Sequence, residues 1–143
     1  MNEYSISIII LSFEPHISKN NCVRHCLVSI FKQDFLNYEL VLVENSHSKN
    51  DITAIETFIK ENNKGNNKVT ILNLPKNLNI GAARNEGAKL ATGKTLVFID
   101  DDTMILSKNA FSVINSFSFS YDFGCGAKRY WTDTIGQAIL RIF

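Results

Sequence analysis

Three consecutive carboxylates, Asp100, Asp101 and Asp102, follow the run Thr95-Leu96-Val97-Phe98-Ile99. Like charges this close repel one another and are costly unless a cation or water offsets them. A hard divalent ion such as Mg²⁺ takes oxygen ligands, often one or two carboxylates plus substrate phosphates. Strand alternation would point Asp100 and Asp102 to one side and Asp101 to the other. The cluster therefore suits a metal site that receives a phosphorylated ligand, and equally a solvated acidic turn. What precedes it favours a site. Leu96 to Ile99 read as a strand buried on both faces, and open parallel α/β sheets collect ligands beyond the carboxyl ends of their strands.

Other chemistry is thinner. Glu44 ends a second apolar run, Tyr38 to Val43. Cys22, Cys26 and Cys125 have no zinc-like spacing and read as buried thiols, although Cys22, His25 and Cys26 fall within one helical turn. The remaining histidines, His16 and His47, have no evident partner. No glycine-rich turn follows the first strand, which counts against a nicotinamide or flavin enzyme, and no Gly-Lys-Ser/Thr of a P-loop occurs.

The elements that would carry these residues alternate. Ser5 to Leu11 is a β-branched strand ending in the loop Ser12-Phe13-Glu14-Pro15. Val23, Cys26, Leu27, Ile30 and Phe31 fall at helical spacing, with Ser18 or Asn20 to cap. After Glu44 and a polar loop, Ile52, Ile55, Phe58 and Ile59 mark a second helix, with Asp51 near its start and a Glu56–Lys60 pair outside. Val69 to Leu74 is a third strand. Asn79 to Leu90 is alanine-rich and helical, and Gly93 would serve as a left-handed cap. Gly81 and Gly87 are unfavourable inside a helix and imply close approach, either by a ligand or by the sheet. Ser107 would cap a helix through Ala110, Phe111, Ile114 and Phe117. Tyr121 to Ala127 reads as a fifth strand, and Thr134 to Phe143 has helical composition. The order β-α-β-α-β-α-β predicts an α/β fold with a mostly parallel sheet, helices on both faces and right-handed crossovers. If strands two and four flank strand one, Glu44 and the Asp100 to Asp102 group line one crevice.

The chain has 143 residues, 45% of them hydrophobic, enough for a single domain, 1–143. A net charge of +1 gives no global argument for nucleic acid. No apolar run approaches the roughly 18 residues that cross a bilayer. The start, Met-Asn-Glu-Tyr, has no basic leader, so a cytoplasmic location is expected, with room for peripheral contact at the inner membrane face. Lys128-Arg129-Tyr130-Trp131 could meet phosphates or a membrane, but suits a solvated loop with an anchored aromatic better. The apolar end at Ile139, Leu140, Ile142 and Phe143 is expected to cover an exposed face of the sheet or to pair with a second chain.

Taken in order, Ser7 to Phe13, Leu27 to Gln33, Glu39 to Ser46, Asn79 to Gly87 and Gly93 to Asp102 resemble the motifs of family 2 glycosyltransferases of the GT-A fold. The likeness runs from about Ser5 to about Leu106. It implies a Rossmann-like nucleotide-sugar-binding domain and an inverting, metal-dependent transferase of polysaccharide biosynthesis. The donor would be a nucleoside diphosphate sugar and the acceptor a glycan or lipid. By the resemblance, Asp100 and Asp102 are the DxD motif and bind Mg²⁺ or Mn²⁺. Ser12, Phe13, Glu44, Asn79, Arg84, Asp100 and Asp101 would contact the donor, with Glu44 on the base edge. Departures are visible. Glu44 stands where the family usually has Asp, and Leu11-Ser12-Phe13-Glu14 where it usually has Pro-Thr-Tyr-Asn. The family's catalytic base lies in a further C-terminal half, and Asp122 and Asp133 come too soon to match it. The chain is thus expected to be the donor-binding half, either of an enzyme or as a non-catalytic nucleotide-sugar-binding module needing a partner. A phosphoacceptor domain, with Glu14 and Lys128 in supporting roles, leaves Asn79 to Gly87 without a purpose.

Overall fold

The computed structural model describes residues 4–13, 22–46, 49–120, 124, 127–130 and 138–141. Four parallel strands, β1 (Ile6–Ser12), β2 (Tyr38–Glu44), β3 (Val69–Asn73) and β4 (Thr95–Asp100), form a sheet in the order β3-β2-β1-β4. Strand one is therefore flanked by strands two and four, as the crevice argument required. The register pairs Ser12 with Glu44 and Leu11 with Asp100, so these residues share the carboxyl end of the sheet.

Helices α1 (Cys22–Phe31) and α2 (Lys49–Asn62) pack on one face, and α3 (Ile80–Leu90) on the other. Alternation within β1 explains the division. Ile6, Ile8 and Ile10 join Leu40, Leu42, Leu27, Ile30 and Ile55, while Ile9 joins Val41, Val43 and Ala83. Strands buried on both faces need continuous apolar runs, and β1 and β2 have them. Helix α4 (Ala110–Phe117) adds Phe111, which meets Tyr38 edge-to-face at 5.2 Å.

Gly87 is where α3 touches the sheet. A Cβ there would lie 2.6 Å from Val43 Cγ2 and 2.9 Å from Ile9 Cγ2, so the glycine serves helix–sheet packing. Gly81 is exposed, and a Cβ on it would meet only Asn79 Oδ1, at 3.6 Å.

Several expectations are corrected. Among the described residues strand β4 is an edge, and Leu96 and Phe98 remain 44% and 45% exposed, because α3 packs mainly over β1 and β2. No glycine among the described residues has a positive φ. Gly93 is needed instead because a Cβ would fall 2.6 Å from Ser7 N. Helix α4 starts after Asn109, and the Ser107 hydroxyl donates to the Asn109 side-chain oxygen instead of accepting from a helix N–H as a cap would. Glu56 and Lys60 are both exposed, with no ion pair between them, whereas Lys89 pairs with Glu86. The segment given helical composition contains a strand, β7 (Ala138–Arg141), in a small second sheet ordered β5-β7-β6 with β5 (Thr103–Ile105) and β6 (Ala127–Tyr130). Backbone pairing to neighbours on both sides overrides helical propensity there. Of the expected fifth strand only Gly124 and Ala127 are described, and Ser18, Asn20, His16, His47, Cys125, Trp131, Ile142 and Phe143 lie outside the described residues.

Candidate functional site

Strand ends build the site. Strand β4 stops at Asp100, and Asp101 and Asp102 form the turn into β5. Strand alternation thus ceases two residues too early to set where the three carboxylates point. Tertiary partners set it instead. Asp100 takes an ion pair from the Arg84 guanidinium on α3. Asp101 is drawn back against β1, where it accepts a hydrogen bond from Ser12 Oγ at 2.9 Å and another from the Phe13 N–H. Asp102 accepts no hydrogen bond among the described residues.

The electrostatics follow from this crowding. Burial pushes the Asp101 carboxyl above its usual range, and the neighbouring Asp102 and Asp100 charges push the same way. The Ser12 hydroxyl and Phe13 amide offset part of that. Beneath the turn, Cys26 Sγ lies 3.7 Å from the Asp100 carbonyl oxygen. Burial, with the three aspartates adding, raises its thiol far above the ordinary value, so it remains a neutral packing group. Among the described residues no group of three or more His, Cys, Asp and Glu could hold a metal ion, the Cys22, His25 and Cys26 turn included.

Glu44 is fully buried at the end of β2, and its Oε1 accepts from the Ser46 N–H at 2.7 Å. Phe13, at the end of β1, is 52% exposed. Asn79 is exposed and serves as N-cap of α3, its side-chain oxygen accepting from the Ala82 N–H at 2.9 Å. One turn on, Arg84 is half-buried, and its Nε is buried without a hydrogen-bond partner among the described residues. Ser12, Phe13, Glu44, Arg84 and Asp100 to Asp102 are thus brought to the same end of three adjacent strands. Asn79 belongs to the helix that delivers Arg84. Sequence reasoning missed the Ser12–Asp101 bond and a second polar residue, Asn45, which is 4% exposed directly after Glu44. A buried amide beside a strand-terminal carboxylate has only its position to mark it.

An anion with an aromatic or amide-bearing ring could lie across this edge. Arg84 would meet its charge, the aspartates a bridging cation, and Glu44 its ring donors. The sequence model described as glycosyl transferase family 2 matches residues 7–141. An uncharacterised glycosyltransferase of Haemophilus influenzae is 30% identical over 105 residues, covering 73% of this chain and 39% of that protein. The Escherichia coli UDP-Glc:alpha-D-GlcNAc-diphosphoundecaprenol beta-1,3-glucosyltransferase WfgD is 26% identical over 126 residues, covering 85% of this chain and 46% of that one. The chain thus spans less than half the length of either relative. Among solved structures, the Pyrobaculum calidifontis mannosyltransferase PcManGT, in complex with GDP-Man and Mn²⁺, superposes with a TM-score of 0.68 at 15% identity over 80% of this chain and 32% of that one. S. aureus TarS 1–349 in complex with UDP superposes with a TM-score of 0.62 at 21% identity over 79% of this chain and 31% of that one. At such identities the superpositions establish a shared fold.

Proposed function

This chain belongs to glycosyl transferase family 2, and from that premise we propose that its strand-end site binds a nucleoside diphosphate sugar for transfer to a glycan or lipid acceptor with inversion. One observation carries the reading: Ser12, Glu44, Arg84 and Asp100, far apart in sequence, meet at the carboxyl end of the parallel sheet. The relatives support it, since PcManGT was solved with GDP-Man and TarS with UDP.

Each residue then has a chemical task. The buried Glu44 carboxylate accepts from ring N–H groups of the base. Exposed Phe13 offers a face for the nucleoside to pack on. Arg84 holds a cation beside the diphosphate, where negative charge grows as the glycosidic bond breaks. Asp101, occupied by Ser12 and Phe13, locks the acidic turn to β1 so that its neighbours face the donor.

The donor set also fits a hard divalent cation. Asp100 and Asp102 supply carboxylate oxygens, and Asp102 has no competing hydrogen bond among the described residues. Two protein ligands completed by donor phosphates and water is the usual arrangement for Mg²⁺. When bound, Mg²⁺ or Mn²⁺ would neutralise charge on the leaving diphosphate. No base for the acceptor hydroxyl is assigned.

Calorimetric titration with UDP-, GDP- and dTDP-sugars, with and without Mn²⁺, tests the proposal. Metal-dependent binding of one donor class, lost in Asp102→Asn with the fold intact, is the expected result. Absence of nucleotide binding at every Mn²⁺ concentration overturns it. Because the chain spans 39% and 46% of its two relatives, a second reading has it bind the donor while residues elsewhere complete transfer. A transfer assay on this chain separates the two, since turnover eliminates the second.

A further inference from the structure

Asn45 ties together the three elements that meet at this site. Its Nδ2 donates to the Leu78 carbonyl at 2.8 Å, while the Leu78 N–H donates to its Oδ1 at 2.9 Å. Nδ2 also donates to Asn77 Oδ1 at 3.1 Å, and the Asn45 main-chain N–H donates to Ser12 O at 2.9 Å. Both side-chain donor hydrogens are used, and the amide orientation is forced, because a flip would set its oxygen against two others. One side chain at the end of β2 therefore grips both backbone polar groups of Leu78 in the β3–α3 loop, while its own backbone N–H is hydrogen-bonded to the end of β1. Pro75, Lys76, Asn77 and Asn79 around Leu78 are exposed and bring little packing of their own. Directly after Leu78, Asn79 caps α3, and Arg84 follows one turn later.

We propose that Asn45 is a positioning residue for the donor site. It sets where α3 begins relative to the end of β2, and through α3 it sets where Arg84 stands over Asp100 and the nucleotide phosphates. The proposal rests on the donor-site reading above. The chemistry is particular to asparagine. Aspartate would keep the acceptor for the Leu78 N–H but would turn a carboxylate oxygen against the Leu78 carbonyl and Asn77 Oδ1. Glutamine is a methylene longer and would displace the loop.

The test compares wild type with Asn45→Asp and Asn77→Ala, using Asn67→Ala as a control. Asn67 donates to the Tyr38 hydroxyl at 2.9 Å, at the opposite end of the sheet. Two quantities are read: affinity for UDP and GDP with Mn²⁺ by calorimetry, and hydrogen exchange at the Leu78 amide. Leaving buried groups unpaired in Asn45→Asp should weaken nucleotide binding by about tenfold or more at neutral pH, with faster Leu78 exchange. At acid pH the introduced carboxyl is protonated and can donate to the Leu78 carbonyl, so Leu78 protection recovers in this variant alone. Asn67→Ala should lower the melting temperature and leave nucleotide affinity unchanged. Asn77→Ala removes only an exposed partner and keeps the test open if Asn45→Asp does not fold. It should raise Leu78 exchange and weaken binding by roughly two- to threefold. The proposal is overturned if nucleotide affinity is unchanged in the Asn45 and Asn77 variants while wild type binds, or if Asn67→Ala weakens binding as much. If wild type binds no nucleotide, the donor-site reading fails and takes this role with it. Leu78 exchange then still reports whether Asn45 holds the entry to α3.

Discussion

Replacing Glu39 by glutamine should produce a stability loss that disappears in acid. Glu39 is 1% exposed, at the amino end of β2. Its Oε1 accepts from Ser7 Oγ at 2.7 Å, Thr92 N at 2.5 Å and Thr92 Oγ1 at 2.9 Å, and its Oε2 lies 3.2 Å from Lys68 Nζ. Burial alone would raise the carboxyl. The Thr92 amide, the Ser7 and Thr92 hydroxyls and Lys68 together outweigh it and hold the group below its usual range. Glutamine preserves the shape and one acceptor oxygen but loses the charge. Taking about 1.5–2 kcal/mol for each hydrogen bond to the charged group against about 1 for a neutral one, the three bonds on Oε1 together lose roughly 2–3 kcal/mol. The Lys68 pair adds at most about 1 kcal/mol, because the lysine is half-exposed. At pH 7 Glu39→Gln should therefore be about 2–4 kcal/mol less stable than wild type in urea denaturation. Because the folded-state pKa lies below the unfolded one, this contribution is present in full above the unfolded carboxylate range. It is lost as pH falls through the folded value. The gap between variant and wild type should close in acid. Nucleotide binding should be spared, since Ser7 and Ser12 on β1 are five residues, about 17 Å, apart along the strand. An equal deficit at neutral and acid pH, or a deficit below about 0.5 kcal/mol at pH 7, would refute the reasoning.

Other substitutions probe the packing. Gly87→Ala places a methyl group against Val43 and Ile9 and should cost about 1–2 kcal/mol despite better helix propensity. Gly81→Ala, with open space around it, should be neutral or gain roughly 0.5 kcal/mol, and urea midpoints compare the two. Replacing Leu96 and Phe98 by threonine on the β4 edge should reduce concentration-dependent association in light scattering, at a stability cost of about 1–2 kcal/mol. Unchanged scattering would show that this edge does not mediate self-association.

The alternation of strands and helices was legible because it depends on local periodicity. The continuous apolar runs at Ile8 to Leu11 and Leu40 to Val43 read as strands buried on both faces, and the structure makes them so. The parallel order then brought Glu44 and Asp100 to one edge, and the ordered motifs pointed to the family that the whole-chain match establishes. Leu96 to Ile99 is just as apolar, yet it became a half-exposed edge, because burial depends on which neighbours cover a strand and no residue of the strand encodes that. Gly93 is required by contact with Ser7, far away in sequence. The three adjacent aspartates carry identical charges, and only Arg84 and Ser12, delivered by other elements, make Asp100 and Asp101 different from Asp102. Residue type and local period determined which groups could act and on which elements they lie. Long-range contacts, absent from any short window of sequence, decided their partners and their exposure.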